Sequence, residues 1–489
     1  MQNGRKVDYL VEIKETNAED QSGLQTNKSA KQIFDERFKD LNNWSTKSCT
    51  IFRVNVGLSE SNPDAHKPKF ISIGPYHNKN SELRSMEKYK MMYLQRFLPR
   101  KEGIDVENCI RQLEELKDEA LKCYDDIQNL DSDCNTGQFL QMLLLDGCFV
   151  VEYILGRRGI IPTGEDTIIK RGYIDYQVHR DLLLLENQLP FFVLTKLHDM
   201  TKEVDEIPFT IMAKYTFLPS LPKITPTSFL ETEGNAKNIK HLLHLVHMSC
   251  YPSEMKTSII RNSSIREVEY CKKSLCWKLL QKIRSKEIPI DRNHLTWHDI
   301  MPNATELCEA GFTKVGSIYR CLDENNLGDS TSLFDIKFEE GLMKIPCFQV
   351  VDHTETILRN LIAYEQESSN VHPTYFFDYA VFMDHLIDSE KDVNLLRLKG
   401  IIRNRIGEDK EVAFFNKIGK GVVVSPDYYY KEECRKVVQH CEKPWNRMKA
   451  NLRRNYFHSP WAGVSTVEVI ILLLLTATQT VLSVLSVIK

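Results

Sequence analysis

Gln138-Phe-Leu-Gln-Met-Leu-Leu-Leu-Asp-Gly-Cys-Phe-Val-Val-Glu-Tyr-Ile-Leu155 is apolar on every side of a helix and is broken inside only by Asp146 and Glu152. A helix with no polar stripe has no face to turn to water, so this segment is expected at the centre of the fold. Carboxylates carried into such a place are costly unless paired. Arg157, Arg158 and Arg180 lie near enough in sequence to be partners, and Asp181 and Glu186 flank a second Leu-rich run. Two readings follow: structural ion pairs joining core helices, or a paired-carboxylate acid–base site. Glu186-Asn-Gln-Leu-Pro190 is expected to stop one helix and start the next, since proline is tolerated in a first turn.

Outward from this centre, apolar stripes at helical spacing predict helices over 83–98 and 106–130. Further helices are expected over 186–197, 238–250, 353–366, 379–387, 411–418 and 428–439, and a short amphipathic one over 31–41. Extended texture predicts short strands at 49–54 and 69–77, and a β-hairpin of 332–338 with 342–348 across Glu339-Glu-Gly341. The fold class is mainly α with minor β. One large helical domain is expected over 45–445, after a mobile, Lys/Glu/Asn-rich extension over 1–44.

A second apolar stretch has a different character. Val469-Ile-Ile-Leu-Leu-Leu-Leu-Thr-Ala-Thr-Gln-Thr-Val-Leu-Ser-Val-Leu-Ser-Val-Ile488 holds no charge and no proline. At 1.5 Å per residue, about 20 such residues cross a hydrocarbon core of about 30 Å. The segment over 446–463 is basic and aromatic, with Arg447, Lys449, Arg453, Arg454, Tyr456, Phe457 and Trp461. Such a flank marks a membrane interface, so 464–488 is expected to be a transmembrane anchor helix. Val469, Leu472, Leu473, Leu474, Leu475, Val481 and Leu485 would face lipid. Thr476, Gln479, Thr480 and Ser483 fall in one sector of that helix with Ser465, Glu468 and Ser486. This is a candidate face for a partner helix or for homo-oligomerisation, against hydroxyls that simply bond back to their own helix.

The chain of 489 residues carries 64 Lys and Arg against 67 Asp and Glu, a net charge of −3. No basic surplus or stripe marks a nucleic-acid surface. Anionic lipid headgroups account better for the one basic cluster, beside the anchor. Thirteen cysteines are scattered without a Cys-x-x-Cys pair, which reads as reduced thiols in a cytosolic body rather than a disulfide framework. The positive flank agrees with a cytosolic body, and no secretory leader is apparent over 1–20. Sequons at Asn27, Asn43, Asn262 and Asn303 are mild counter-indications.

Sequence signs of catalysis are missing: no phosphate-binding loop, no Gly-x-Ser-x-Gly, no His-Glu-x-x-His and no Glu-x-x-His. His241, His244 and His247 recur every third residue. On a helix they fan over about 120°, so two adjacent ones could share a metal, but a zinc site needs a third protein ligand. The favoured reading is a polar helix edge, and no cofactor or metal is assigned.

Several motifs in fixed order carry a resemblance. Cys49-Thr-Ile-Phe-Arg-Val, Lys67-Pro-Lys-Phe-Ile-Ser-Ile-Gly-Pro-Tyr-His77 and Met86-Glu-Lys-Tyr-Lys90 come first. Leu145-Asp-Gly-Cys-Phe149, Leu185-Glu-Asn-Gln-Leu-Pro-Phe-Phe192, Ala304-Thr-Glu-Leu-Cys-Glu-Ala-Gly311, Leu333-Phe-Asp-Ile-Lys-Phe338 and Leu361-Ile-Ala-Tyr-Glu-Gln366 follow, with Pro460-Trp461 before the tail. Together they resemble the plant family called domain of unknown function 247, also called UPF-0481. The resemblance implies a C-terminal anchor helix, no established enzymatic activity and no catalytic residues to carry over. Some grass members act as self-incompatibility determinants, which implies recognition. The expectation is therefore a plant single-pass membrane protein acting in protein recognition or signalling. Its partners would be the lipid bilayer and an unknown protein, with the plasma membrane favoured over endomembranes. The alternative is a membrane-tethered hydrolase or transferase using Asp146, Glu152 or Glu186.

Overall fold

The computed structural model describes residues 49–488 except 126–135, 162–167, 204–205, 219–237, 252–300, 311–313, 318–331, 340, 369–370, 405–416, 419–427 and 457–459, together with Lys31, Phe34 and Phe38. Met1–Ser48 and Cys49–Lys489 form separate compact units. In the first, Lys31, Phe34 and Phe38 are helical, and the two phenylalanine rings meet at 6.3 Å. The expected helix over 411–418 lies outside the described residues except for Lys417 and Ile418.

Among the described residues the first half of the larger unit is built, after a short helical turn at Val56–Ser59, on α1 Glu87–Phe97, α2 Val106–Glu114, α3 Lys117–Lys122, α4 Thr136–Arg157, α5 Gly172–Asp181 and α6 Phe191–Thr201. The all-apolar segment is α4, and α1, α2 and α6 pack around it. Tyr93 of α1 meets Phe149 of α4 at 4.8 Å between ring centroids. At Gly147 a Cβ would run into Leu197 of α6, so the glycine permits the close approach of these helices. Pro190 is the residue at the N-terminal boundary of α6, as its place in Glu186-Asn-Gln-Leu-Pro190 suggested.

The second half follows with α7 Phe209–Phe217, α8 Leu242–Ser249, α9 Ala304–Glu309, β1 Lys314–Ser317, β2 Lys337–Glu339, β3 Leu342–Ile345, β4 Phe348–Val350, α10 Thr354–Glu367, α11 Tyr375–Leu386, α12 Glu390–Leu398 and β5 Ile402–Asn404. The hairpin exists: β2 pairs antiparallel with β3, Phe338 opposite Met343, and Gly341 turns at φ +80. It is shorter than expected. Phe348 leaves it for β4, which runs parallel to β5 in a second small sheet. The chain ends in α13 Lys431–Glu442, α14 Pro444–Tyr456 and α15 Pro460–Ile488. The architecture is mainly helical with short strands.

Two expectations need correction. The stripe over 106–130 is not one helix but α2 and α3, broken at Glu115-Leu116, and 126–130 lie outside the described residues. Cys109, Leu113 and Ala120 of the stripe are buried while Val106, its first residue, is exposed, so the periodicity read most of the burial and not the break in the backbone. Nor are 49–54 and 69–77 strands. Ile51 forms one isolated bridge with Tyr124, and 69–77 pairs with no strand among the described residues. Its buried backbone donors still need acceptors, and side chains supply them.

Candidate functional site

Asp181, the last residue of α5, is fully buried and points its carboxylate at the segment before Gly74. Oδ2 accepts from the backbone N–H groups of Lys69 (3.0 Å), Phe70 (2.7 Å) and Ile71 (3.0 Å), and Oδ1 accepts from Arg180 Nη1 at 2.7 Å. Two residues along, Ile73 N–H donates to Asn187 Oδ1 at 2.7 Å, and the Asn187 amide donates back to Ile71 O. Gly74 N–H donates to Asp146 Oδ2 at 2.8 Å. Gly74 sits at φ +78, with Gln188 O 2.6 Å from where a Cβ would stand. His77 Nε2 then meets Glu186 Oε2 at 3.0 Å, while Glu186 Oε1 accepts from Val54 N–H at 2.8 Å. The backbone donors of Lys69, Phe70, Ile71, Ile73 and Gly74, and the ring of His77, are thus held by side chains of α4, α5 and the turn after α5.

The carboxylates singled out by sequence therefore have partners: Asp181 takes Arg180, one of those proposed, while Asp146, Glu152 and Glu186 take others. Asp146 pairs with Lys90 of α1 at 2.7 Å, and Glu152 with Arg100 at 3.1 Å. Arg157 instead pairs with Asp175, and Arg180 with Asp181. For Asp146 and Glu152 sequence neighbours were the wrong pool, because a buried helix is paired by whatever packs across it. Burial pushes the Glu152 carboxyl up to about 7 against the opposing pull of Arg100. Burial also acts on Glu186, but hydrogen bonds from His77 and Val54 N–H, with the charges of His77 and Arg53, hold it below the ordinary carboxylate range. Each of Asp146, Glu152 and Glu186 is spent on a structural contact, so as placed they form ion pairs and backbone clamps rather than an acid–base pair facing a cavity.

Sequence reasoning missed three further clamps of the same kind. Glu365 of α10 accepts from Phe376 and Phe377 N–H at 3.0 and 2.9 Å, the first turn of α11, and meets His247 Nε2 at 2.8 Å. Asp378 accepts from Tyr429 N–H at 2.7 Å, and Asp392 from Thr305 N–H at 2.8 Å. A carboxylate in an apolar helical stretch was the available signal, as in Leu361-Ile-Ala-Tyr-Glu-Gln366.

The three histidines have separate employments. His241 is the N-cap of α8, its Nδ1 accepting from His244 N–H; His244 Nδ1 accepts from Lys240 N–H; His247 bonds Glu365. Their rings surround Tyr364 at centroid distances of 5.2, 5.5 and 5.3 Å. Burial lowers the His241 imidazole to about 3 and His244 well below its ordinary value. The His241 and His244 rings thus accept from backbone donors and complete a core, and no group of three or more potential metal-ligating side chains occurs among the described residues.

Among the described residues one cleft opens between α5 and the start of α10, about 490 Å³, lined by Lys69, Tyr173, Tyr176, Arg180, Asp352 and His353. Tyr176 stacks on His353 at 3.6 Å, and Arg180 donates to Asp64 O and Lys67 O. Its cation is therefore committed to holding the chain rather than a ligand.

The C-terminal helix differs from every other in the unit. The 29-residue α15 is long and apolar enough to cross a membrane, and so is α4. In α4's most apolar window 83% is buried; in that of α15, none is. Val469, Leu472, Leu473, Leu474, Leu475 and Val481 are 56–64% exposed. The side chain of Leu485 lies outside the described residues. On the polar sector, Thr476 and Thr480 hydroxyls donate to Leu472 O and Thr476 O, four residues back. Gln479 and Ser483 are exposed on the same sector, and Gln479 has no hydrogen-bond partner among the described residues.

Comparison with known proteins places this fold in a family. The UPF0481 protein At3g47200 of Arabidopsis thaliana is 30% identical over 449 residues, covering 90% of this chain and 87% of that one. A putative UPF0481 protein of the same plant, At3g02645, is 23% identical over 494 residues, covering 88% of this chain and 89% of its own. No solved structure matches the chain. A family model described as plant protein of unknown function, DUF247, matches residues 51–475, from the Ile51 bridge through the clamped segments into α15, and to that family the chain belongs.

Proposed function

We propose that this chain is a single-pass membrane protein whose helical body, residues 45–445, is held at a membrane by 464–488 and serves protein recognition or signalling. The observation that carries the reading is α15: four consecutive leucines, Leu472–Leu475, stand 60–64% exposed on a helix long enough to span. Leaving four such side chains in water forgoes on the order of 10 kcal/mol, and a bilayer recovers it. The body is cytosolic and the membrane is the plasma membrane, with the basic flank over 443–454 on the cytosolic side. Recognition is favoured over catalysis because the buried carboxylates are consumed in holding backbone. The Gln479 face of α15, including Thr476, Thr480 and Ser483, offers its unsatisfied amide to a second copy or a partner helix.

The test is protease protection of sealed microsomes carrying the full chain tagged at both ends, with endoglycosidase treatment. Digestion of an unglycosylated body from outside is expected. A protected body bearing sugar at Asn303 would overturn the cytosolic reading, and release of the chain by alkaline carbonate would overturn the anchor.

A further inference from the structure

We propose that α14 is an in-plane membrane helix that seats the body on an anionic lipid surface. The inference rests on reading α15 as membrane-spanning, and it adds a second, lateral contact with a different lipid chemistry. In α14, Trp445, Met448, Leu452 and Tyr456 are 70, 45, 41 and 53% exposed. At 100° per residue they share a sector of about 80°. A soluble helix places such a stripe against its core, but here the core lies elsewhere. Ala450 packs on the body, the Asn446 amide donates to His440 O at 2.7 Å, and Arg453 Nη1 donates to Cys308 O of α9 at 2.7 Å. Those three residues occupy a sector about 130° from the middle of the apolar stripe. One flank therefore grips the body while the stripe faces away from it.

Charge and height both select a lipid surface as the occupant. Between Glu442 and Glu468 there is no acidic residue, while Lys443, Arg447, Lys449, Arg453 and Arg454 are cationic. Arg447 and Arg454 are exposed and have no acidic partner among the described residues. Leu452 and Tyr456 line an apolar groove of about 390 Å³ with Ser465, Thr466, Val469 and Ile470 of α15, and Thr466 Oγ1 donates to Tyr456 O at 3.2 Å. The end of α14 thus lies level with the turn of α15 where the uncharged run begins. That is the boundary between headgroups and acyl chains, the depth at which an interfacial helix buries its apolar face. Trp445 and Tyr456 then sit where amphipathic rings collect. Lys449, about 60° from the middle of the stripe, is placed to reach the phosphates, and Arg447 and Arg454 on the polar face add to the attraction, while the Arg453 bond to α9 transmits the orientation to the body.

The experiment uses the full chain in phosphatidylcholine–phosphatidylserine vesicles whose lipids are brominated near the headgroup end of the acyl chain. The fluorescence difference between wild type and Trp445→Phe reports Trp445; that between wild type and Trp461→Phe reports the start of α15. Quenching of both is expected. The Trp445 signal should fall in pure phosphatidylcholine and in Arg447→Glu/Arg454→Glu, whose docked-to-free ratio drops at least about tenfold, since each cation near an anionic leaflet contributes roughly fivefold. Trp461 quenched with Trp445 unquenched overturns the proposal and leaves the anchor standing, the stripe then being a protein contact. Neither quenched overturns the anchor and the proposal together. Trp445 quenched equally in every lipid and in the charge-reversed chain overturns the recognition of anionic headgroups.

Discussion

Asp181→Ala removes the acceptor that holds Lys69, Phe70 and Ile71, and its cost can be worked from the geometry. Ile71 N–H is fully buried and loses its 3.0 Å bond; Lys69 and Phe70 N–H are partly buried and lose theirs. An orphaned buried donor costs about 1–3 kcal/mol, and a partly buried one, which water reaches, roughly half of that. Arg180 loses its 2.7 Å carboxylate but keeps Asp64 O and Lys67 O. An uncompensated buried charge costs about 3–5 kcal/mol, and two remaining acceptors bring that down to about 2 kcal/mol. The expected sum is about 4–8 kcal/mol, comparable with the whole stability of many domains. Asp181→Asn keeps one oxygen for the backbone donors and should lose about half as much. The measurement is urea denaturation of the detergent-solubilised full chain, read by near-ultraviolet circular dichroism and extrapolated linearly. An Asp181→Ala chain within about 1 kcal/mol of wild type would refute the claim that the carboxylate holds this segment. A cost as large for Asn as for Ala would show that the charge on Arg180, and not the backbone, is what it serves.

Gly74→Ala is expected to cost more than about 2 kcal/mol in the same titration, because φ is +78 and the new Cβ would meet the immobile Gln188 O at 2.6 Å; a neutral result would refute the fit. Glu152, raised to about 7 in the fold from an ordinary 4.5, binds its proton more tightly folded than unfolded between those values. Stability should therefore be highest near pH 4.5 and fall by up to about 3 kcal/mol as pH rises to about 7. Glu152→Gln should lack that part of the slope and be no less stable than wild type at pH 8, and a large loss there would make the Arg100 pair the dominant effect. Leu474→Arg, at the middle of α15, should move the chain toward the carbonate-soluble fraction, since a central charge costs about 2.5–3.5 kcal/mol on insertion scales; unchanged fractionation would count against a spanning helix.

What the sequence made legible was burial, and what it hid was the partner of each polar group. The stripe over 106–130 marked Cys109, Leu113 and Ala120 as core before any backbone was known, yet it could not register the break at Glu115-Leu116. No glycine or proline stands there to announce it. The alternation in Phe70-Ile-Ser-Ile73 was read as a strand because an extended, half-buried chain normally bonds another strand. Here the bonds go to Asp181 and Asn187, more than a hundred residues along the chain, and such a pairing has no local sequence signature. The same limit misassigned the partners of Asp146 and Glu152. Lys90 and Arg100 are separated from them by over fifty residues and by two turns of packing geometry that only the fold supplies.

That limit also explains why α4 and α15 are separable by sequence while their hydropathies alone do not separate them. An apolar helix inside a protein can carry charges, because neighbouring elements bring Lys90 to Asp146 and Arg100 to Glu152. A helix surrounded by lipid has no such supply, and each charge would meet hydrocarbon alone. The carboxylates of α4 are therefore the mark of a protein interior, and their absence from Val469–Ile488 is what the proposed lipid surroundings would require. Beyond Glu468, α15 has in place of carboxylates Thr476, Thr478 and Thr480, whose hydroxyls bond carbonyls one turn back. Gln479 breaks that pattern, being too long to satisfy its amide on its own turn and too polar to leave unsatisfied in lipid. Gln479→Leu should thus leave membrane insertion intact and, where the helix meets a partner, abolish the cross-linked dimer of the full chain in vesicles; a dimer that persists would assign the polar sector to back-bonding alone.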